Sequence, residues 1–343
     1  MITFVISIRW RILMVNNDRY YQTLKSARYY YELGKTQQEI ADELQISRPT
    51  VAKYLREAKD AGMVEIRVLD IRNKNSVIDL ESALRDSFGL KFVRIVEVEH
   101  ASDEALKEKL GEETARHLER LVKNGSSIGV SWGTTLKAAA DALRQNRNLH
   151  GVKVVTLVGG ASRLDSTIHA NVLCERIAAR CGGTSSYLYA PAIVDSAETA
   201  EKLRKSTEIK AVLDLARSVD IALVGIGSPD ETSSIVRTGY FGAHDLRQLR
   251  EYKVVGDICT RFYDEQGAVS PLALNDRIIG IDLADLRSIG HVIGVAGGPK
   301  KIRAIRGALR AGFINSLITD AATAKSVLRR DSQERRYPND TSA

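Results

Sequence analysis

One short stretch constrains this chain more than any other. It runs from Thr36 to Arg56 and reads TQQEIADELQISRPTVAKYLR. Its apolar residues have the spacing of two short helices that cross and share one small core. Thr36 and Glu39 form a T-x-x-E capping box that opens the first helix, and Ser47 is a suitable cap for the second. The stretch therefore predicts a helix-turn-helix with a shared core of Ile40, Leu44, Ile46, Val51 and Tyr54.

The turn between the two predicted helices contains one unusual residue. Gln45 occupies the position at which such turns often have glycine. Glycine adopts left-handed backbone angles at little cost, whereas a residue with a side chain does not. We therefore expect either a glutamine in the left-handed region or a turn of slightly different geometry.

The second predicted helix has two chemically different faces. Val51, Leu55 and Ala58 recur at i, i+4 and i+7, which is typical of a face that packs on a core. The other face is basic, and it suits the major groove of duplex DNA, where lysine and arginine contact bases or phosphates. The alternative is an amphipathic hairpin whose basic face is only solvated. The predicted DNA-binding residues are Ser47, Arg48, Pro49, Thr50, Lys53 and Arg56.

Length and composition suit a folded protein of two domains. The chain has 343 residues, of which 44% are hydrophobic, so it can bury a substantial core. Lysine plus arginine outnumber aspartate plus glutamate by 50 to 43, and the net charge of +7 is compatible with a polyanionic partner. Cys174, Cys181 and Cys259 follow no spacing of metal ligands, so we expect no metal site and a location in the reducing cytoplasm.

The first residues are apolar but do not predict a membrane span. Met1–Val15 reads MITFVISIRWRILMV, and its arginines divide the apolar residues into runs far shorter than the roughly 18 residues that cross a bilayer. No small-residue cleavage site of a signal peptide follows. We therefore expect a flexible extension over residues 1–18, with Met14 as an alternative start, and no contact with a membrane.

The rest of the chain divides into segments with different patterns. Arg19–Leu33 has helical spacing and completes a predicted three-helix domain over residues 19–70, with Met63–Ile71 as a wing or linker strand. Residues 71–89 predict a linker helix that is a candidate dimer contact. Residues 90–330 predict one large domain, and residues 331–343 predict a flexible tail.

In the large domain, strand patterns alternate with helix patterns and are joined by short loops. This alternation is typical of βαβ units and predicts an α/β fold, a doubly wound and mostly parallel sheet with helices on both faces. The predicted strands are Phe92–Val98, Ser127–Ser131, Val152–Val158, Tyr187–Tyr189, Ile221–Ile226, Val254–Phe262, Val292–Ala296 and Ser316–Ile318.

The loops that follow the strands are the candidate ligand-binding sites. In open α/β sheets, ligands bind outside the carboxyl ends of the strands. After the second strand, Gly133 allows a tight turn into Thr134 and Thr135, whose amides and hydroxyls could hold an anion. The alternative is a purely structural turn between strand and helix. No G-x-x-x-x-G-K-[ST] motif occurs, so a nucleoside triphosphate is not implied.

Two further glycine-rich loops follow apolar strands. One contains Gly227, and the other reads Gly-Gly-Pro-Lys-Lys and ends at Lys301, which is well placed for a phosphate. Asp257 lies on an otherwise apolar predicted strand and could accept hydrogen bonds from sugar hydroxyls. The alternatives are a solvated surface lysine and a buried structural acid.

The motifs together identify a family. In chain order they are Q-x-E-I-A-x-x-L-x-I-S-R-x-T-V-x-x-x-L, G-V-S-W-G-T-T-L, G-I-G, G-G-x-x-K-x-x-A-I-x-x-A-L and L-I-T-D. From about Tyr20 to Leu328 the chain resembles the SorC family of bacterial sugar-responsive transcriptional regulators, which includes proteins called DeoR. The resemblance implies a cytoplasmic dimer or tetramer that binds operator DNA. It also implies that the C-terminal domain, similar to sugar-phosphate isomerases in fold, binds a sugar or phosphosugar effector.

The resemblance also implies roles for single residues. Val158 stands where members that hold a second phosphate carry a basic residue, so we expect a sugar, polyol or monophosphorylated sugar rather than a bisphosphate. The implied effector contacts are the turn of Gly133, Thr134 and Thr135, Gly227 in the G-I-G loop, Asp257 at effector hydroxyls, and Lys301 in the G-G-x-x-K signature.

The alternative function is a sugar-phosphate isomerase-like enzyme with an appended DNA-binding segment. The six histidines are scattered along the chain. The loop motifs contain neither a nucleophile beside a base nor a close pair of carboxylates. We therefore predict a regulator without catalytic residues, cofactor or metal.

Overall fold

The computed structural model of the protein describes residues 17–64, 77–98, 102–161, 166–229 and 243–336. The chain divides into two compact units, Met1–Lys74 and Asn75–Ala343. The second unit contains a seven-stranded parallel sheet. Within the described ranges, none of the helices has the length and apolar character that crossing a bilayer requires.

The first unit contains the three predicted helices, α1 (Asn17–Tyr31), α2 (Gln37–Leu44) and α3 (Arg48–Asp60). The capping box of Thr36 and Glu39 opens α2, and the Ser47 hydroxyl accepts a hydrogen bond from the Thr50 amide at 3.3 Å. Gln45 adopts the left-handed conformation, with φ 54° and ψ 41°. The turn therefore keeps the usual geometry, and a glutamine bears the strain that glycine avoids.

The core of this unit lies between α2 and α3 and is covered by α1. Ile40, Ala41 and Val51 are buried in it. Arg19 on α1 forms a bidentate ion pair with Glu57 on α3, which ties the first helix to the third. The predicted strand Met63–Ile71 falls largely on residues 65–76, outside the described residues.

The sheet of the second unit has the order β1-β9-β8-β5-β2-β3-β4, with every neighbouring pair parallel. This arrangement confirms the predicted parallel α/β fold. The seven strands are β1 (Phe92–Val96), β2 (Ser127–Val130), β3 (Lys153–Thr156), β4 (Thr184–Ser186), β5 (Ile221–Gly225), β8 (His291–Val295) and β9 (Ser316–Asp320).

Helices cover both faces of the sheet. In chain order they are α4 (Val77–Phe88), α5 (Asp103–Leu121), α6 (Thr134–Ala142), α7 (Ala170–Arg180), α8 (Ala197–Lys205), α9 (Thr207–Arg217), α10 (Ala243–Glu251), α11 (Ala273–Asp276), α12 (Leu283–Leu286), α13 (Ile302–Arg310) and α14 (Ala321–Arg336). One apolar layer contains Leu118, Leu136 and Ile177 from α5, α6 and α7, and a second contains side chains of α4, α9, α13 and α14. The sheet is therefore buried on both sides, as its apolar strands require.

Two predicted strands were wrong in position or type. The predicted strand Tyr187–Tyr189 lies directly after the observed edge strand β4. The residues of β4 are polar and partly exposed, so the sequence gives no apolar signal for this strand. The predicted strand Val254–Phe262 is a hairpin outside the main sheet, formed by β6 (Gly256–Ile258) and β7 (Arg261–Tyr263). Cys259 and Thr260, with φ of 50° and 68°, form its two-residue turn.

The helix α4 packs on the α/β unit. Leu84 is fully buried beside residues of β1, whereas Ile78 on the same helix is 68% exposed. One face of α4 therefore belongs to the core of the second unit.

Replacing Leu84 with alanine should destabilise the second unit by roughly 2–5 kcal/mol, because a buried leucine leaves a cavity when it is truncated. Ile78→Ala is the matched control and should change the free energy of unfolding by less than about 0.5 kcal/mol. Urea titrations followed by circular dichroism measure both values. Equal effects of the two substitutions would show that α4 does not contribute to this core.

Candidate functional site

The residues that the sequence predicts for effector binding surround one cavity. The cavity has a volume of about 490 Å³ and lies at the carboxyl ends of β2, β5 and β8. Parallel strands end at the same edge of a sheet, so residues far apart in the chain meet there. Every predicted residue contributes to the lining, namely Gly133, Thr134, Thr135, Gly227, Asp257 and Lys301.

The start of α6 forms one wall of the cavity. Gly133 precedes the helix with φ 143° and ψ 159° and provides no side-chain cap. The first amides of a helix have no partner within the helix, and they carry partial positive charge. Thr134 is exposed and Thr135 is half-buried, so that both hydroxyls accompany these amides at the cavity. This wall is suited to an anionic group.

The loop after β8 forms a second wall. Gly298 has φ 92°, a conformation that favours glycine. The Lys301 amide donates a hydrogen bond to the Gly298 carbonyl at 3.0 Å, which closes a single turn of 3₁₀-helix before α13. The Lys301 side chain is half-buried, and its ammonium acts on Asp257 by lowering the pKa of that carboxyl. A cation therefore lies within electrostatic reach of the buried acid.

Asp257 on β6 presents a buried carboxyl to the cavity. Its side chain is 6% exposed, and its Oδ1 atom has no hydrogen-bond partner among the described residues. Burial raises the pKa of this carboxyl to about 6, although the Lys301 ammonium and the Thr260 amide oppose the shift. A buried oxygen without a partner costs free energy. A ligand hydroxyl that donates to Oδ1 would supply the missing hydrogen bond.

Gly227 allows this carboxyl to reach the cavity. Its amide donates to the Asp257 carbonyl at 2.8 Å, and the Asp257 amide donates back to the Gly227 carbonyl at 3.3 Å. A Cβ atom on Gly227 would lie 1.8 Å from Asp257 Oδ1, which is impossible without a shift of the carboxyl or the backbone. The two residues thus join the hairpin to the edge of the main sheet.

Several cavity residues were missed by the sequence analysis. Thr260 is 1% exposed, and its hydroxyl has no hydrogen-bond partner among the described residues. No sequence signal could identify it, because the hairpin turn that presents it was predicted as a continuous strand. Ser131, Trp132 and Lys107 also line the cavity. Trp132 and Ser131 belong to the G-V-S-W-G-T-T-L motif, which was the available signal.

The groups around the cavity are suited to binding. Burial raises the pKa of the Cys259 thiol far above its ordinary value, so this thiol is not a nucleophile at neutral pH. Among the residues that the structure describes, no group of three histidine, cysteine or acidic side chains could hold a metal ion. The cavity offers a set of amides, an ammonium and a carboxyl, which are groups that can form hydrogen bonds and ion pairs with a polar ligand.

The predicted DNA-binding residues lie on the outer face of α3. Ser47, Arg48, Pro49, Lys53 and Arg56 are exposed and Thr50 is half-buried, whereas Val51, Leu55 and Ala58 face the core. Within the described part of the chain, no acidic side chain forms an ion pair with the cations of this face. The face therefore keeps its positive charge available at the surface.

Comparisons with known proteins match both parts of the chain. Residues 34–65 match the winged helix-turn-helix DNA-binding family, and residues 72–329 match the sugar-binding domain family Sugar-bind. The chain is 33% identical over 314 residues to the deoxyribonucleoside regulator of Bacillus subtilis, with 92% of this chain and 99% of that protein covered. It is 33% identical over 317 residues to the sorbitol operon regulator of Klebsiella pneumoniae, with 92% and 100% covered.

The crystal structure of the full-length sorbitol operon regulator SorC from Klebsiella pneumoniae is similar to this structure, with a TM-score of 0.70 at 33% identity. The match covers 91% of this chain and 100% of that chain. A family of regulators, and not of enzymes, thus accounts for both units of the molecule. The protein belongs to the SorC family of DNA-binding transcriptional regulators with a sugar-binding domain.

Proposed function

We propose that this regulator acts as a homo-oligomer on operator DNA in the cytoplasm and responds to a sugar, polyol or monophosphorylated sugar of carbohydrate metabolism. The observation that carries the proposal is the convergence on one cavity of the first amides of α6, Lys301 and the Oδ1 atom of Asp257, which has no hydrogen-bond partner among the described residues. Such a cavity fits a small ligand that has hydroxyls and at most one phosphate. The division at residues 19–70, 71–89 and 90–330 remains our proposal for the functional domains.

The side of the cavity formed by α6 and Lys301 would take the anionic group of a ligand. Gly133, Thr134 and Thr135 would supply amides and hydroxyls, and Lys301 a positive charge. Phosphate binding by a glycine-rich turn at a helix N-terminus is a common arrangement in α/β proteins. An unphosphorylated polyol would form hydrogen bonds with the same groups through its hydroxyls.

The side formed by the hairpin would take hydroxyls. The Oδ1 atom of Asp257 accepts, and the Thr260 hydroxyl can both donate and accept. Both atoms are buried without partners among the described residues, so a ligand that satisfies them removes an existing cost.

A second phosphate would find no basic residue at position 158. Val158, where a basic residue would be needed, is fully buried and forms a backbone bridge with Gly280. It does not contribute to the lining of the cavity. A bisphosphate would therefore leave one doubly charged group without a cation from this position.

Control of DNA binding would follow from linkage between the two units. An effector changes an equilibrium only to the extent that it binds one state of the regulator better than the other. The relatives named for deoxyribonucleoside and sorbitol operon regulation support a carbohydrate-derived effector. Two copies of α3 presented by an oligomer would contact half-sites on one face of the duplex, separated by one helical turn or a multiple of it.

Replacing Thr135 or Lys301 with alanine should abolish the response to a phosphorylated effector and leave effector-free DNA binding unchanged. The reason is that each substitution removes a group from the proposed anion site but none from α3. A thermal-shift screen of pentoses, hexoses and polyols, with and without phosphate, identifies ligands because a bound ligand stabilises the folded state. The variants are then compared with the natural protein in ligand binding and in DNA release.

Lys325→Ala is the matched control for Lys301→Ala, since Lys325 is an exposed lysine that does not line the cavity. We expect the control to keep the response. If Thr135→Ala and Lys301→Ala lost effector-free DNA binding as well, these residues would be structural, and the proposed site would be wrong.

Effector affinity should increase with pH through about 6. Burial raises the pKa of Asp257 from 3.8 to about 6, so the ligand-free protein holds a proton in the window in which the unfolded chain has released it. Its contribution to folding stability therefore falls as the pH rises through this window. A hydroxyl donated to Oδ1 favours the ionised carboxyl, so binding should weaken below pH 6 by up to about tenfold per pH unit.

Calorimetric titrations between pH 5 and pH 7.5 measure this dependence. An unphosphorylated ligand from the screen is preferred, because a phosphate monoester itself titrates near pH 6. Asp257→Asn is the control and should make the affinity independent of pH over this range. A dependence that persists in this variant would assign the titration to another group.

Replacing both Lys53 and Arg56 with alanine should weaken operator binding by about 2 kcal/mol or more, since one base contact alone contributes roughly 1–3 kcal/mol. The dependence of affinity on salt should also become shallower, because fewer counterions are released. Fluorescence anisotropy with a duplex obtained by selection from random sequence measures both effects. The matched control is Lys202→Ala with Lys205→Ala, which removes the same charge from the exposed helix α8.

An unchanged affinity of the Lys53 and Arg56 variant would favour a sensor that acts through protein partners. An equal loss in the α8 control would assign the effect to net charge and not to the α3 face.

A further inference from the structure

The L-I-T-D motif at the end of β9 has no role in the function described so far. Its last residue, Asp320, is 7% exposed and lies beside the glycine-rich loop that carries Lys301. The adjacent strands β8 and β9 are paired in parallel, so the segments that follow them emerge side by side. Asp320, at the end of β9, thus lies next to the cavity wall formed by the loop after β8.

The carboxylate of Asp320 joins these two segments. Its Oδ1 accepts a hydrogen bond from the Thr323 amide at 2.9 Å, which caps α14. Its Oδ2 accepts from the Gly298 amide at 2.8 Å and from the Thr323 hydroxyl at 2.6 Å. The Gly298 amide also approaches the Thr323 hydroxyl oxygen at 2.9 Å. One side chain therefore holds the start of α14 and the loop after β8 together.

A helix cap alone does not explain this arrangement. Capping requires one acceptor for an amide of the first turn, and Oδ1 fulfils that role. The second oxygen is directed at the loop after β8. The loop is also shaped to receive it, because a Cβ atom on Gly297 would lie 2.6 Å from Oδ2. The absence of a side chain at this position permits the close contact.

Gly298, whose amide donates to Asp320, also holds the backbone of Lys301 in place. The Gly298 carbonyl accepts the hydrogen bond of the Lys301 amide at 3.0 Å. The backbone of Lys301 is therefore tied to Gly298, which Asp320 holds in turn. A side chain that binds a ligand gains affinity when its backbone is held in place before the ligand arrives.

We propose that Asp320, with Thr323, is a positioning residue that holds the Gly298–Lys301 turn so that Lys301 is directed to an anion in the cavity. Asp320 does not contact the ligand in this proposal and acts through Lys301. The inference rests on the proposed function of the cavity as an effector site. It assigns a role to the L-I-T-D motif that is separate from the direct binding groups.

The test is a double-substitution cycle of Asp320→Asn and Lys301→Ala, with inorganic phosphate as the probe. Asparagine keeps the size of the side chain and is an equally good helix cap, but it has an acceptor oxygen at only one of the two carboxylate positions. It therefore cannot accept from both the Thr323 amide and the Gly298 amide. We expect Asp320→Asn to raise the dissociation constant for phosphate about tenfold. In the Lys301→Ala background, Asp320→Asn should cause little further change, because residues that act through one another are not additive.

Asp220→Asn is the matched control. Asp220 also accepts one amide and one hydroxyl, from Ser127 at 2.8 and 2.7 Å, but it lies at the amino ends of β2 and β5, away from the cavity. This control should leave phosphate affinity unchanged. If Asp320→Asn does not fold, Thr323→Val and Thr323→Ser replace it, and only the valine variant, which lacks the hydroxyl, should weaken binding.

The outcomes separate the two hypotheses. An equal weakening by Asp320→Asn with and without Lys301, or no weakening at all, while the natural protein binds phosphate, overturns the positioning role and leaves the effector site intact. If the natural protein binds neither phosphate nor any compound of the sugar and polyol screen, the effector site itself is wrong, and the positioning role with it. Binding of unphosphorylated compounds alone overturns the positioning role only.

Discussion

The close approach of Gly227 to Asp257 is the contact on which the proposed ligand site depends. Two backbone hydrogen bonds join these residues, and the missing Cβ atom leaves room for the carboxyl. The contact attaches the β6–β7 hairpin to the carboxyl edge of the main sheet. Without it, the cavity would lack the buried carboxyl of Asp257. Hairpin and sheet together create a pocket with both an acidic and a basic group.

The electrostatics of the pocket follow from its burial. An ionised carboxylate away from water is costly, and at Asp257 the cost appears as a raised pKa that Lys301 only partly offsets. The Oδ1 atom remains without a partner among the described residues, so the ligand-free site retains part of this cost. In the proposed function, a polyhydroxy ligand would remove this cost by donating hydrogen bonds, so recognition would be selective for hydrogen-bond donors. On this view the free energy of effector binding derives partly from an incomplete hydrogen-bond network.

The two units of the chain have different physical requirements. The α3 face requires exposed cations on a well-anchored helix, and the anchoring comes from the buried side chains of Val51 and Leu55 and from the ion pair of Arg19 with Glu57. The cavity instead requires buried groups whose position is set by backbone contacts. Surface charges can be replaced at small cost in stability, whereas a side chain at Gly227 or Gly297 would collide with the carboxyl of Asp257 or Asp320.

The amino-acid sequence by itself determined the helix-turn-helix, its caps and its basic face, because these depend on residues within a few helical turns of one another. It also determined the parallel α/β fold and five of the six predicted cavity residues, since apolar strands and the loops after them can be recognised locally. The sixth, Asp257, was predicted on a continuous strand that is in fact a hairpin. Only the tertiary structure decided that residues 254–262 form a hairpin and that Thr260 faces the cavity. It alone also showed that Asp320 reaches the loop before Lys301. These features arise from contacts between distant segments, and neither periodicity nor turn composition records such contacts.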